Sequence, residues 1–271
     1  MSNADTLKRR SFGETARIDA WWLKPGLVFV GLTAFIAYAT WAGMQGKHYF
    51  YDGGGAHLLS PFYSPLLYGQ AHEPRLFAAE LPSWWPSFLP FSAAILILAG
   101  PAGMRVTCYY YRGAYYKSFW ADPVACGVGE PRKSYWGEHR IPLLLHNAHR
   151  YFFYVAGVYV FILFYDGLRA LVYVNPDGSH SLGIGVGSIV LLLNACFLAG
   201  YTFGCHCHRH LLGGHLRIFA KAPVQHACYQ CISMLNRRHM YWAWVSLVWV
   251  GFSDLYVRMC AMGVWTDWRI F

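Results

Sequence analysis

Apolar residues gather into five runs, 27–44, 88–104, 151–174, 182–204 and 240–264, separated by polar or basic segments. A bilayer core about 30 Å thick takes about 20 apolar residues in a helix, so each run predicts one membrane span. The first two are short. Trp21, Trp22, Trp84 and Trp85 can extend them into the interface, where amphipathic rings are favoured. Pro101 predicts a kink near the end of the second run, because it removes a helical hydrogen bond. The pattern predicts an all-α integral membrane protein, a bundle of five transmembrane helices forming one domain over residues 1–271.

Composition agrees: 56% of residues are hydrophobic and 13% charged, well below the roughly one quarter charged in soluble domains. The net charge of +9 does not point to nucleic acid, because the basic residues flank the apolar runs. Segments 1–26, 105–150 and 205–239 hold 17 of the 22 Lys and Arg, whereas 45–85, 175–181 and 265–271 hold two, none and one. By the positive-inside rule the N-terminus and both long basic connections face the cytoplasm and the C-terminus lies outside. Basic ends also meet anionic lipid headgroups. Residues 1–19 are polar, with Lys8, Arg9 and Arg10 but no apolar core behind them, and are read as a cytoplasmic tail rather than a secretory signal.

Nine of the thirteen histidines and six of the eight cysteines fall on that basic side. Apolar helices need no such ligands, so the segregation suggests a redox metal at the cytoplasmic edge of the membrane. A reducing cytoplasm argues against a disulfide framework. The densest run is Gly204-Cys205-His206-Cys207-His208-Arg209-His210. If the fourth helix continues through it, His206 and His210 share a face, as do Cys207 and His210. Cys108 and Cys126 follow the second run, His146 and His149 precede the third, and His239 opens the fifth. The plainer reading is histidines reaching toward headgroups and cysteines packing as small apolar groups. Cys228 and Cys231 form a CxxC with no second half, read as structural.

Charges also sit within the runs: Asp166 and Arg169 at i, i+3, and Asp254 and Arg258 at i, i+4, each expected to neutralise its partner on one helical face. Residues 109–120 supply five Tyr, one Phe and one Trp around Arg112, and Trp242 and Trp244 start the fifth run. Tyr109, Arg112 and Trp242 are therefore candidates for a flat-ligand pocket near the cytoplasmic interface, against the alternative of an aromatic belt.

Taken in order, these strings resemble the single-subunit membrane anchor of actinobacterial-type succinate dehydrogenase, respiratory complex II. The strings are Ser60-Pro-Phe-Tyr-Ser64-Pro65, Cys108-Tyr-Tyr-Tyr-Arg112, Pro123-Val-Ala-Cys126, Asn147-Ala-His149-Arg150-Tyr151, Cys205-His206 with Arg209-His210, Asn236-Arg-Arg-His239-Met240 and Asp254-Leu-Tyr-Val-Arg258. The resemblance implies a multi-pass subunit of the bacterial cytoplasmic (inner) membrane, N-terminus inside. It would dock a flavoprotein subunit and an iron–sulfur subunit and pass electrons from succinate to a quinone, menaquinone being expected. It further implies a Rieske-type [2Fe–2S] centre in place of haem b, with two Cys on one iron and two His on the other. The metal ligands so implied are Cys108, Cys126 and Cys205 with His210 and His239, then His149 and His206. No dicarboxylate site is expected in this chain.

Other readings stay open from sequence. His149, His210 and His239 could hold haem b. A di-iron oxygenase would also gather histidines, but it favours nitrogen and oxygen ligands in several boxes, and here only His206-x-x-x-His210 has that form. A purely structural or transport bundle is the last alternative.

Overall fold

The computed structural model describes residues 10–68, 85, 86, 88, 92–132, 143–214 and 216–271. The run at 88–104 lies partly outside them, as does Trp84. Helices dominate. They are α1 (Leu23–Gln45), α2 (Ala93–Val106), α3 (Tyr109–Ala114), α4 (His149–Arg169), α5 (Val186–Phe203), α6 (His206–Gly213), α7 (Pro223–Arg237) and α8 (His239–Ala261). Two hairpins interrupt them: β1 (Phe50–Gly53) pairs antiparallel with β2 (Ala56–Leu59), and β3 (Val172–Val174) with β4 (His180–Leu182). An all-helical bundle is thus only the coarse description.

Among the described residues three helices are long and apolar enough to cross a membrane, Leu23–Gln45, Leu144–Arg169 and Val186–Phe203. A fourth arises if the broken pair Ala93–Val106 and Tyr109–Phe119 counts as one span. The fifth run forms the 23-residue α8. Its Trp and Tyr rings and its Asp254–Arg258 pair keep it out of that set, so five spans are not established by length and apolarity.

Boundaries shift for local reasons. The third run was expected to stay helical to residue 174, but α4 stops at Arg169 and Val172–Val174 enters a hairpin. The Asn175-Pro-Asp-Gly178 turn explains this: Gly178 has φ +80°, and Ser179 N–H donates to Asp177 Oδ1 at 2.9 Å. The fourth run ends at Gly204, as its bounds predict, and the condition of a helix running on through the Cys/His string is not met. Instead α5 ends at Phe203, Gly204 caps it, and α6 starts anew with Cys205 Sγ accepting from Cys207 N–H at 3.4 Å.

The chain divides into two compact units. In the first, Met1–Ala34 with Arg105–Ala148, the N-terminal segment is strapped to the loop after α3. Gly13 N–H donates to Gly129 O at 3.1 Å and Gly129 N–H to Glu14 O at 2.9 Å. Thr15 Oγ1 reaches Gly127 O at 2.9 Å, and Arg17 Nη1 reaches Cys126 O at 3.0 Å. The approach requires glycine at 129, where a Cβ would lie 1.9 Å from Ser11 O.

In the second, Phe35–Met104 with His149–Phe271, α5 packs between α4 and α8. One core joins Leu58, Ala170, Val190, Leu191, Val257 and Cys260. Another gathers Ala42, Tyr49, Phe62, Tyr63, Leu66 and Ala94 under the first hairpin. Between the helices lies the ion pair expected at i, i+4: Arg258 Nε is 3.3 Å from Asp254 Oδ2, with both side chains essentially fully buried. Ser60 and Tyr38 hydroxyls donate to the carboxylate, Tyr38 at 2.6 Å. The guanidinium donates to Lys47 O at 2.9 Å and Ala42 O at 3.3 Å and lies over the Trp41 ring at 5.2 Å. Every strong group of the pair is satisfied, the condition under which burying charge is tolerable.

The other expected pair does not form. Asp166 accepts from the Ser64 hydroxyl, and Arg169 Nη1 reaches Tyr165 Oη at 3.4 Å. The two serines of the Ser60–Ser64 turn thus hold one carboxylate from α8 and one from α4, a linkage no local spacing announces.

Candidate functional site

The break at Gly204 places the Cys/His string at the start of a short helix instead of the tail of a long one. Cys205, at the cap, is buried, and its Sγ lies 3.0 Å from Nε2 of His149, the first residue of α4. A thiol and an imidazole from two helices therefore meet in a buried spot. Across the same string, His208 turns inward: its Nδ1 contacts Phe203 O at 2.8 Å and its ring stacks on Phe153 at 5.2 Å. His206 and His210 face outward, with their Nε2 atoms 2.9 Å apart. Burial, then the neighbouring His210 and Arg209, lower the pKa of His206 from its usual range. Burial likewise pushes the Cys207 thiol up, against a smaller pull from Arg150.

Cys108 is buried at the N-terminal cap of α3. Cys126 is exposed, its carbonyl held by Arg17. His239 opens α8 and stacks on Tyr201 at 5.1 Å and 13°. Cys228 and Cys231 are exposed on α7.

A Rieske-type centre needs two thiolates and two imidazoles on one cluster. Among the described residues no group of three or more His, Cys, Asp or Glu is placed to hold a metal. His149 and Cys205 bring one donor of each kind together, half of what such a cluster takes.

The flat-ligand candidates belong to two units, each described by itself. Tyr109 is exposed and lies 5.6 Å from the His146 ring. The Arg112 guanidinium lies over Tyr109 at 5.8 Å and Tyr116 at 5.9 Å. These contacts belong to the first unit. In the second, Trp242 seats on Gly200, where a Cβ would come within 2.9 Å of its ring. Its Nε1 is buried without a hydrogen-bond partner, as is the amide of Asn194 on α5.

Sequence reasoning did not find a cavity of about 560 Å³ at the far end of α4, lined by Leu66, Phe161 and Ile162 with His57, Asp166 and Arg169. Its signal was present in part, as the Asp166/Arg169 pair within an apolar run. The hairpin residues that close it come from about 100 positions away and carry no spacing cue.

Residues 23–263 match a family model described as actinobacterial succinate dehydrogenase subunit SdhC. Among solved structures, the Mycobacterium smegmatis Sdh1 complex in the apo form contains a chain 38% identical to this one. The match covers 98% of each chain with a TM-score of 0.83. No curated protein matches.

Proposed function

Since the chain belongs to the actinobacterial succinate dehydrogenase SdhC family, we propose that it carries electrons from the enzyme's iron–sulfur subunit to a membrane quinone. It is the membrane subunit of succinate dehydrogenase. The observation that carries the reading is the 38% identity, over 98% of the chain, to a chain of the Sdh1 complex. Its partners are the flavoprotein and iron–sulfur subunits. Succinate gives up two electrons and two protons at the partner, and quinone takes two of each in the membrane. This chain's share is to seat the ring, exclude water and deliver protons.

The topology we propose has five spans, α8 included, with the N-terminus cytoplasmic, so α6 and α7 lie on the cytoplasmic face. The segment 205–239 has no acidic residue and suits docking of the iron–sulfur subunit. For the quinone, buried Trp242 Nε1 supports a seat near that face, because an unpartnered buried donor is costly unless a ligand accepts from it. Tyr109 and Arg112 stay in the proposal as quinone-binding candidates of the first unit. The cavity beside Asp166 supports a second seat, of a size typical for small ligands. As cofactor we propose a [2Fe–2S] centre with Cys205 and His149 as its best-supported ligands, ahead of His239; His210 is turned to His206 instead. Cys108 and Cys126 are the remaining thiol candidates. A haem b is the alternative, and would give a Soret band instead of acid-labile sulfide.

A tag on this chain should bring the flavoprotein and iron–sulfur subunits out of solubilised membranes. A photoreactive quinone should label peptides around Trp242. Isolation of the chain alone would contradict the assignment. Labelling confined to the cavity residues Leu66, Phe161 and Ile162 would move the quinone to the second seat.

A further inference from the structure

Three histidines at the α5–α6 break take no part in the His149–Cys205 contact, and one of them, His208, turns inward onto Phe203 and Phe153. His206 and His210 stand one turn apart on α6, both exposed, with ring centroids 4.4 Å apart at 72°. Their Nε2 atoms converge to 2.9 Å. Two exposed imidazoles have water available and gain little from each other, yet here the two Nε2 atoms face each other at hydrogen-bond distance, close enough for one cation to bridge. We propose that His206 and His210 form a chelating site for a single borderline divalent transition cation, of the zinc or copper class.

The surroundings select the metal. Two imidazole nitrogens at i, i+4 suit Zn²⁺, Ni²⁺ or Cu²⁺. Both donors are imidazole nitrogens and segment 205–239 adds no carboxylate, which disfavours Ca²⁺ and Mg²⁺, cations that take oxygen ligands. The nearest competing cation is held aside: Arg209 Nη2 donates to Tyr229 Oη at 2.6 Å, with the guanidinium 5.0 Å over that ring. Gly214 leaves the far side of one ring open, since a Cβ there would lie 3.0 Å from His210 Nδ1. In the unliganded pair one Nε2 carries the shared proton. On binding, that ring moves its proton to Nδ1, both Nε2 lone pairs face the metal, and no proton is released. Two protein nitrogens leave open positions for water or for a donor on a docked subunit. The site is separate from any cluster built on Cys205 and His149, and survives if that cluster proposal fails.

The test uses the intact purified complex. Its histidines are acylated with diethylpyrocarbonate with and without Zn²⁺, and the modified positions are mapped by mass spectrometry. Zn²⁺ should slow modification of His206 and His210, because a lone pair bound to the metal is not free to attack the reagent. His180, exposed in the second hairpin, should be unaffected. In H206N, protection of His210 should vanish, because one imidazole no longer chelates. Equal modification with and without Zn²⁺ overturns the proposal. So does a pair already unreactive before Zn²⁺ is added, or protection of His210 that persists in H206N. The wild-type comparison stands even if the variant does not assemble.

Discussion

At the residue scale the sharpest consequence concerns Arg258. Its guanidinium is 1% exposed and, among the described residues, is neutralised by Asp254 on its own helix. Asp254→Asn should leave a buried uncompensated cation and cost about 3–5 kcal/mol, read as a lowered Tm of the detergent-solubilised complex. Asp254→Leu with Arg258→Met should recover most of that loss, because removing both charges also removes the desolvation penalty. If the single and double variants melt together, the pair is not what holds α8 against Tyr38 and Ser60. Sequence showed this pair fully, since i, i+4 spacing is local. It did not show Ser60 and Tyr38, whose hydroxyls approach from 194 and 216 residues away. The Asp166–Arg169 pair misled for the same reason: a hydroxyl distant in sequence, Ser64, takes the place of the neighbour.

A second residue-scale prediction concerns the N-terminal strap. The Arg17 guanidinium beside Asp19 holds that carboxyl below the usual range, outweighing the smaller upward push of burial. A depressed carboxylate adds stability above its unfolded pKa and loses it as pH falls through the folded one. Protease cutting within residues 10–19 should therefore stay slow at neutral pH and rise only below the ordinary carboxylate range. An Arg17→Ala variant should be cut faster at neutral pH. Cutting that is independent of pH and of Arg17 would mean that the strap does not depend on this pair.

At the scale of elements, the apolar runs located the helices because a membrane span needs only length and apolarity. Their ends were less legible. Val172–Val174 continues the apolar run, and hydropathy cannot separate a β-branched strand from the last turn of a helix. The Asn-Pro-Asp-Gly turn was the available cue. Gly204 similarly marked the α5–α6 break, a C-cap signal masked by the helical spacing of the histidines around it. Close helix packing offers a direct test. Gly200→Ala puts a Cβ 2.9 Å from the Trp242 ring, so overpacking should cost about 1–3 kcal/mol and shift Trp242. Quinone reduction should fall with it while subunit retention persists. Unchanged kinetics would remove Trp242 from the proposed quinone seat.

At the scale of the whole molecule, the partition of basic residues predicts topology. Reporter fusions at Asp177 and Phe271 should both report the outside, and a cytoplasmic Phe271 would remove α8 as a span. The segregation of His and Cys was legible as a side of the membrane, not as a ligand set: of the candidates, His149 and Cys205 meet, His210 faces His206, and His239 stacks on Tyr201. Spacing within one segment could not reveal the first contact, whose partners lie 56 residues apart.

The account's central claim is that this chain joins succinate oxidation to membrane quinone. The direct measurement compares two activities of the purified complex, with this chain present and with it dissociated. Reduction of an artificial acceptor, which takes electrons from the partner subunits, should persist without the chain, while succinate-driven quinone reduction should vanish and return on reconstitution. Quinone reduction that continues at full rate without the chain would contradict the claim.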